Sequence, residues 1–252
     1  KRTLLTERKR AMPVSRLLSL TDPNRQGRGF SASFAHRFTA PPKIIAEIKR
    51  SSPSRVALSM PAGDIAGRLR AYELGGAGAL SVLTEKSHFG GSLDDLALAR
   101  KLTALPVLRK DFIVDAYELY EAAAFGADAV LLIAEALEAK VIEDLAALAA
   151  LLGLDVLLEI HSLRSFEKTH HISGVLTGVN SRNLETLTID LAGSHDVVAA
   201  MPKDRPVIVE SGINTRSDID VFGDLGVSGF LIGTSLMTSS DPAETLRKLM
   251  NG

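Results

Sequence analysis

The chain has 252 residues, 46% of them apolar, and a formal net charge of −1, which is enough to build one large core and leaves no basic field to draw nucleic acid. Cysteine is absent, so disulfides and thiolate chemistry are excluded and a cytoplasmic setting is the simplest expectation. No apolar stretch reaches the roughly 20 residues of a membrane-spanning helix, no signal peptide is expected, and the opening Lys1 in place of Met suggests that an N-terminal piece has been removed or omitted.

Residues 1–40 stand apart. Between Lys1 and Arg28 there are eight Lys or Arg residues against two acids, followed by a stretch carrying Phe30, Phe34 and Phe38 and closed by Pro41-Pro42. Such a run is either a nucleic-acid arm or, the expected reading, a solvated helix face anchored by Leu4, Leu5, Leu17 and Leu18. From Ile44 a strand–loop–helix repeat begins, roughly 25 residues long. Strands are predicted over 44–49, 79–84, 106–111, 129–134, 155–160, 175–180, 207–211 and 229–233. They are rich in Val, Ile and Leu without strict alternation, as parallel strands covered by helices are. Apolar residues at helix spacing predict helices over 65–74, 93–102, 116–125 and 141–151, several of them ending near Gly75, Gly126 or Gly153. Eight such units favour a closed barrel over an open doubly wound sheet. The expected fold is therefore α/β, a (β/α)8 TIM barrel over 41–252 with an N-terminal helical extension over 1–40.

The C-terminal ends of these strands keep delivering charge. Glu47 and Lys49 are two apart on the first strand and so face the same side. Such a pair can tune and share proton transfer, or it can be a buried ion pair that fills the barrel. Phe89-Gly90-Gly91-Ser92 follows the second strand: the ring either stacks on a planar substrate or packs under its own loop. Lys110 ends the third strand and Glu159 the fifth; a lysine beside carboxylates stays protonated, whereas a desolvated one can form a Schiff base. His161, His170 and His171 lack matching ligands, so no metal is expected, and surface or loop imidazoles are the simpler reading. Asn180 and Arg182 leave the sixth strand and suit either a substrate carboxylate or loop capping. Glu210, Ser211 and Gly212 follow the seventh strand, and Gly233, Thr234 and Ser235 follow the eighth. With Ser52 across the mouth, these loops match the recurrent phosphate site of such barrels.

Together these residues resemble the indole-3-glycerol-phosphate synthase family. The motifs are Glu47-Ile48-Lys49-Arg50-Ser51-Ser52-Pro53-Ser54, Ser81-Val82-Leu83-Thr84-Glu85 with Phe89 and Gly91-Ser92, and Leu108-Arg109-Lys110-Asp111-Phe112. Leu158-Glu159, Asn180 with Arg182-Asn183-Leu184, Glu210-Ser211-Gly212-Ile213 and Gly233-Thr234-Ser235-Leu236-Met237 complete them. The resemblance runs from Ile44 to the C-terminus, in order and at family spacing. The family also carries an extension before its barrel, which residues 1–40 resemble, with its first part expected to be missing.

The resemblance implies conversion of 1-(2-carboxyphenylamino)-1-deoxyribulose 5-phosphate to indole-3-glycerol phosphate with loss of CO2 and water, using no cofactor and no metal. By it Lys110 is the general acid on the ribulosyl carbonyl. Glu159 and Lys49 are acid/base candidates for the dehydration, with Glu47 tuning Lys49. Asn180 and Arg182 are implied for the anthranilate carboxylate, Glu210 and Ser211 for the sugar hydroxyls, Phe89 for the aromatic ring. Ser52, Gly212, Gly233 and Thr234 or Ser235 are implied for the phosphate. Two departures stand out. Ser181 replaces a frequent second Asn, and Arg55-Val56 follows Ser-Pro-Ser where Lys-Gly or Gly-Leu is common, a change expected to stiffen the first mouth loop. The expected partner is a phosphorylated small molecule, with no nucleic acid and no membrane, acting on a monomer or weak homo-oligomer. Competing readings are a phosphoribosyl-anthranilate isomerase, which works with a Cys this chain lacks, a Schiff-base aldolase, or a phosphate-binding barrel without catalysis.

Overall fold

Runs of Val, Ile and Leu that bury both faces pair most readily with one another, and in this chain they close into a ring. The computed structural model describes residues 2–22, 25–36, 41–51 and 65–252. Its eight strands are β1 (Ile44–Ile48), β2 (Ala79–Leu83), β3 (Val107–Lys110), β4 (Ala129–Ile133), β5 (Asp155–Ile160), β6 (Leu176–Asn180), β7 (Val207–Glu210) and β8 (Gly229–Ile232). Each pairs in parallel with the next, and β8 pairs with β1. This is the (β/α)8 barrel expected from the sequence.

Among the described residues, three helices precede the barrel: α1 (Arg2–Ala11), α2 (Val14–Leu20) and α3 (Phe30–Ser33). The barrel helices follow as α4 (Ile65–Leu74), α5 (Lys86–Phe89), α6 (Leu93–Leu102), α7 (Ala116–Ala124), α8 (Ala139–Leu151), α9 (Leu163–Thr169) and α10 (Leu191–Ala200). The last three are α11 (Arg216–Asp220), α12 (Thr234–Thr238) and α13 (Pro242–Asn251). Among the described residues no helix is long and apolar enough to cross a membrane.

Strand periodicity sorts the side chains into two sets. Outward residues such as Ile44, Ala46, Val82, Val130 and Val156 pack under the helices. Inward residues, among them Ile45, Leu108, Leu131, Leu157, Ile208 and Leu231, fill the barrel together with Phe30 and Phe34. The two phenylalanines therefore complete the interior from the side where the strands begin. The inward set turns from apolar to charged as the strands run toward their C-terminal ends: Ile45 gives way to Glu47, Leu108 to Lys110, Leu157 to Glu159, and Ile208 to Glu210. That gradient places the site.

The N-terminal leucines behave differently from expectation. Leu5 and Leu17 are buried against Tyr117, but Leu4 and Leu18 are about half exposed, because a short helix turns only one face to its support. The basic side chains of this segment are not simply solvated either. Arg8 pairs with Glu121, Lys9 Nζ lies 2.8 Å from Asp115 Oδ2, and the Tyr117 hydroxyl donates to the Arg8 and Met12 carbonyls.

Candidate active site

A cavity of about 680 Å³ opens at the C-terminal ends of the strands, within the size range of small-molecule sites. Lys110 stands in its middle. Its Nζ is 3.0 Å from Glu159 Oε2 and 3.2 Å from Glu210 Oε2. Burial disfavours its charge, but the carboxylates of Glu159, Glu210 and Glu47 outweigh burial and raise its pKa, so the side chain is an ammonium at neutral pH. The preceding residue points the opposite way. Arg109 is fully buried outside the barrel wall, 3.0 Å from Asp111 Oδ2 and 3.3 Å from Glu121 Oε2, and it donates to the Glu118 carbonyl at 2.7 Å. This outer ionic knot fixes the strand end that presents Lys110.

Glu159 is held on both oxygens. Lys110 takes Oε2, and the Asn180 amide donates to Oε1 at 3.0 Å. Burial pushes its pKa up, yet Lys110, His161 and the Asn180 hydrogen bond prevail and lower it; Glu159 is ionised. Asn180 Oδ1 in turn accepts the Arg182 backbone N–H at 2.9 Å. One side chain thus orients the Glu159 carboxylate, a role the sequence had not suggested, and caps the loop after β6, which was one of the two readings it had left open. The Arg182 guanidinium donates to the Leu187 carbonyl at 3.0 Å and lines the cavity.

Glu210 is the group whose charge is least settled. Burial first, then Glu159 and Glu47, raise its pKa to about 7 against the pull of Lys110. Neither of its oxygens completes an aligned hydrogen bond; Oε2 faces the Lys110 ammonium at 3.2 Å, and Oε1 is left open to a ligand hydroxyl. Space for it comes from Gly178, in register with Glu159, where a Cβ would fall 2.2 Å from Glu210 Oε1. Ser211 follows in a left-handed conformation at φ 64°, strain of a kind that gathers at functional sites.

On the opposite wall Lys49 Nζ lies 2.8 Å from Glu47 Oε1 and 3.3 Å from Thr234 Oγ1. Gly233 passes so close that a Cβ would lie 2.3 Å from Glu47 Oε1. Gly212, Gly233 and Thr234 line the cavity, whereas the Ser235 hydroxyl is turned to the Ile213 carbonyl at 3.4 Å. Ser52 and the Arg55-Val56 departure lie outside the described residues. Phe89 also lines the cavity, as the last residue of α5 rather than on an open loop. Glu85 caps that helix by accepting from the Ser87 and His88 backbone. The ring sits 6.5 Å from that of Phe112, so the cavity has an aromatic wall there.

His161 departs from expectation. It is not a surface imidazole: its side chain is 15% exposed, with Nδ1 3.1 Å from Glu135 Oε2 and Nε2 3.5 Å from Glu159 Oε1. Its place two residues after Glu159 on β5 was the signal available in the sequence. His170 and His171 are exposed, with His171 Nε2 2.8 Å from Glu143 Oε1. Among the described residues no group of three or more His, Asp or Glu side chains is arranged to hold a metal ion. The sequence named Arg109 and Phe112 only as motif members without a role, and gave no hint of Gly178 or of the apolar liners Leu131, Ile133 and Leu231.

Comparison with known proteins bears on this arrangement. Residues 1–249 match the family model of indole-3-glycerol phosphate synthase. The indole-3-glycerol phosphate synthase of Burkholderia vietnamiensis is 44% identical over 211 residues, covering 82% of this chain and 79% of that protein. Among solved structures, a mutant tryptophan synthase alpha-subunit from Pyrococcus furiosus superposes with a TM-score of 0.63 at 13% identity, covering 82% of this chain and 97% of that one. A thiamine phosphate pyrophosphorylase from the same organism gives 0.59 at 19% identity, covering 82% and 93%. At such identities these two share the fold alone.

Proposed function

The chain belongs to the indole-3-glycerol phosphate synthase family, and from that premise we propose how the charged layer at its barrel mouth carries the reaction. The enzyme is a carboxy-lyase of tryptophan biosynthesis. It converts 1-(2-carboxyphenylamino)-1-deoxyribulose 5-phosphate to indole-3-glycerol phosphate, CO2 and water.

In this proposal the phosphate rests on the backbone of Gly212, Gly233 and Thr234, with Ser52 and the Ser235 N–H as further donors. Glycines let main-chain amides approach an anion closely. Arg182, braced by Asn180, faces the anthranilate carboxylate. The Glu210 carboxylate, with Ser211, takes the sugar hydroxyls, and Phe89 packs on the aromatic ring. Lys110 then donates its proton to the ribulosyl carbonyl oxygen, and the ring carbon bearing the carboxylate attacks the carbonyl carbon. CO2 leaves, returning its bonding pair to the ring and restoring aromaticity. For the dehydration, Lys49, in contact with Glu47, protonates the departing hydroxyl, while Glu159 takes the proton from the carbon beside nitrogen.

One observation carries this reading: Lys110 lies between two buried carboxylates at the centre of the cavity, which supports an ammonium rather than the free amine a Schiff base needs. No cofactor enters the scheme. The substrate is its small-molecule partner, and because all proposed groups come from one chain, a monomer or weak homo-oligomer suffices. We place it in the cytoplasm, with the small-molecule pathway it serves. Incubation with the anthranilate-ribulose phosphate should produce indole fluorescence. A folded protein giving no indole product, or an adduct on Lys110 or Lys49 trapped by borohydride, would refute the scheme.

A further inference from the structure

Each turnover must take one proton from solvent. The substrate enters with an ionised carboxylate and a doubly ionised phosphate, while the product keeps only the phosphate charges and CO2 and water leave neutral. Within the cycle one proton goes to the carbonyl oxygen as the new carbon–carbon bond forms. A second goes to the hydroxyl, which departs as water when its carbon–oxygen bond breaks. A single proton comes back, from the carbon beside nitrogen, as the ring double bond forms. Whichever carboxylate accepts it, the buried cluster ends one proton short.

Lys110 and Glu159 both line the cavity that the ligand fills, at 13% and 1% side-chain exposure. His161 and Glu135 are not among the cavity's lining residues, yet they stand next in line behind Glu159, at ion-pair distances that a small turn of the imidazole ring would align into hydrogen bonds. Glu159 Oε1 lies 3.5 Å from His161 Nε2, and His161 Nδ1 lies 3.1 Å from Glu135 Oε2. Glu135 is one-third exposed. Its other oxygen is fixed by the His161 backbone N–H at 2.8 Å and by the Ser165 hydroxyl, which leaves Oε2 for the imidazole. A histidine with a carboxylate at each nitrogen can accept a proton on one side and release one from the other.

We propose that Glu135 and His161 form the inlet through which the consumed proton reaches Glu159 and recharges Lys110, so that the acid is restored from behind the cavity. The inference rests on the acid and base roles given above to Lys110 and Glu159. The charged groups facing His161 are Glu135 from the end of β4, Glu159 from β5 and Glu210 from β7, with Lys110 beyond Glu159. Burial disfavours the imidazolium, but the three carboxylates outweigh it and raise its pKa, so the ring is held ready to donate.

The test compares the first turnover, with enzyme in excess, against steady-state kcat, following indole fluorescence in the full-length protein. For both His161→Gln and Glu135→Gln, the first turnover should stay within about twofold of wild type while kcat at pH 8 falls about a hundredfold, the lower end of what a lost proton transfer costs. Added imidazole should restore part of the loss, and the deficit should narrow toward pH 6. A wild-type kcat in both variants overturns the inlet, as does a first turnover that falls in parallel with kcat, which is what a merely structural role would give. Glu135, at the surface, keeps the test intact should the His161 variant fail to fold. Lys110→Met separates the two levels: if it retains its first turnover, the acid assignment falls and the inlet with it. If it loses that turnover while the His161 and Glu135 variants match wild type, the inlet alone fails.

Discussion

A methyl group added at Gly233 would sit 2.3 Å from Glu47 Oε1 and 3.0 Å from Lys49 Nζ, where ordinary contacts begin at 3.4 Å. The Glu47 carboxylate would have to retreat by about 1 Å, a displacement of the size that costs about a hundredfold in rate when it misplaces a catalytic group. Glu47 cannot simply swing away, because it is 9% exposed and bound to Lys49 at 2.8 Å. Overpacking of this kind costs about 1–3 kcal/mol, and each kcal/mol lowers Tm by roughly 2–4 °C at this chain length. Gly233→Ala should therefore lose about two orders of magnitude in kcat/KM with only a modest fall in Tm. Indole fluorescence and thermal denaturation read the two effects separately. Gly223→Ala, where nothing lies within 4 Å of the added carbon, is the control and should behave as wild type. Undiminished turnover in Gly233→Ala would refute the reasoning, as would equal losses in both variants.

Other consequences follow from the same geometry. The Glu210 pKa, raised from 4.5 to about 7, means that the folded state binds more protons than the unfolded state between these values, so its contribution to stability falls as pH rises through this window. Glu210→Gln should therefore be more stable than wild type at pH 8, by on the order of 3 kcal/mol, and the gain should vanish below pH 4.5; a Tm difference independent of pH would contradict it. Glu159→Gln keeps the shape but loses the base, and kcat should drop by about 10²–10⁴ in steady-state assays. Arg109→Met would leave Asp111 buried without its cation while Glu121 keeps Arg8, lowering stability by about 3–5 kcal/mol in urea denaturation; an unchanged midpoint would show that the outer knot is not needed.

The barrel was legible because parallel strands buried on both faces must be almost continuously Val, Ile and Leu, and breaks in those runs mark strand ends. The charged layer was legible from period two, which puts Glu47 with Lys49 and aims Lys110 inward. What escaped depends on partners remote in sequence. Nothing local distinguishes Leu5 from Leu4, whose fates depend on where Tyr117 arrives. The four-residue α5 is defined by the Glu85 cap, too short for any periodicity to show. His161 differs from His170 and His171 in sequence only by its place two residues after Glu159, and its second partner, Glu135, is brought beside it by the segment after β4. Gly178 counts as an ordinary strand residue until the Glu210 carboxylate is seen to need its empty space.

The claim at the centre of this account is that Lys110 acts as the protonated acid that makes the ribulosyl carbonyl electrophilic. Lys110→Met removes the ammonium and keeps an unbranched side chain of similar reach. With circular dichroism establishing that the variant is folded, its incubation with the anthranilate-ribulose phosphate should give no indole fluorescence. Indole formation at the wild-type rate would contradict the account.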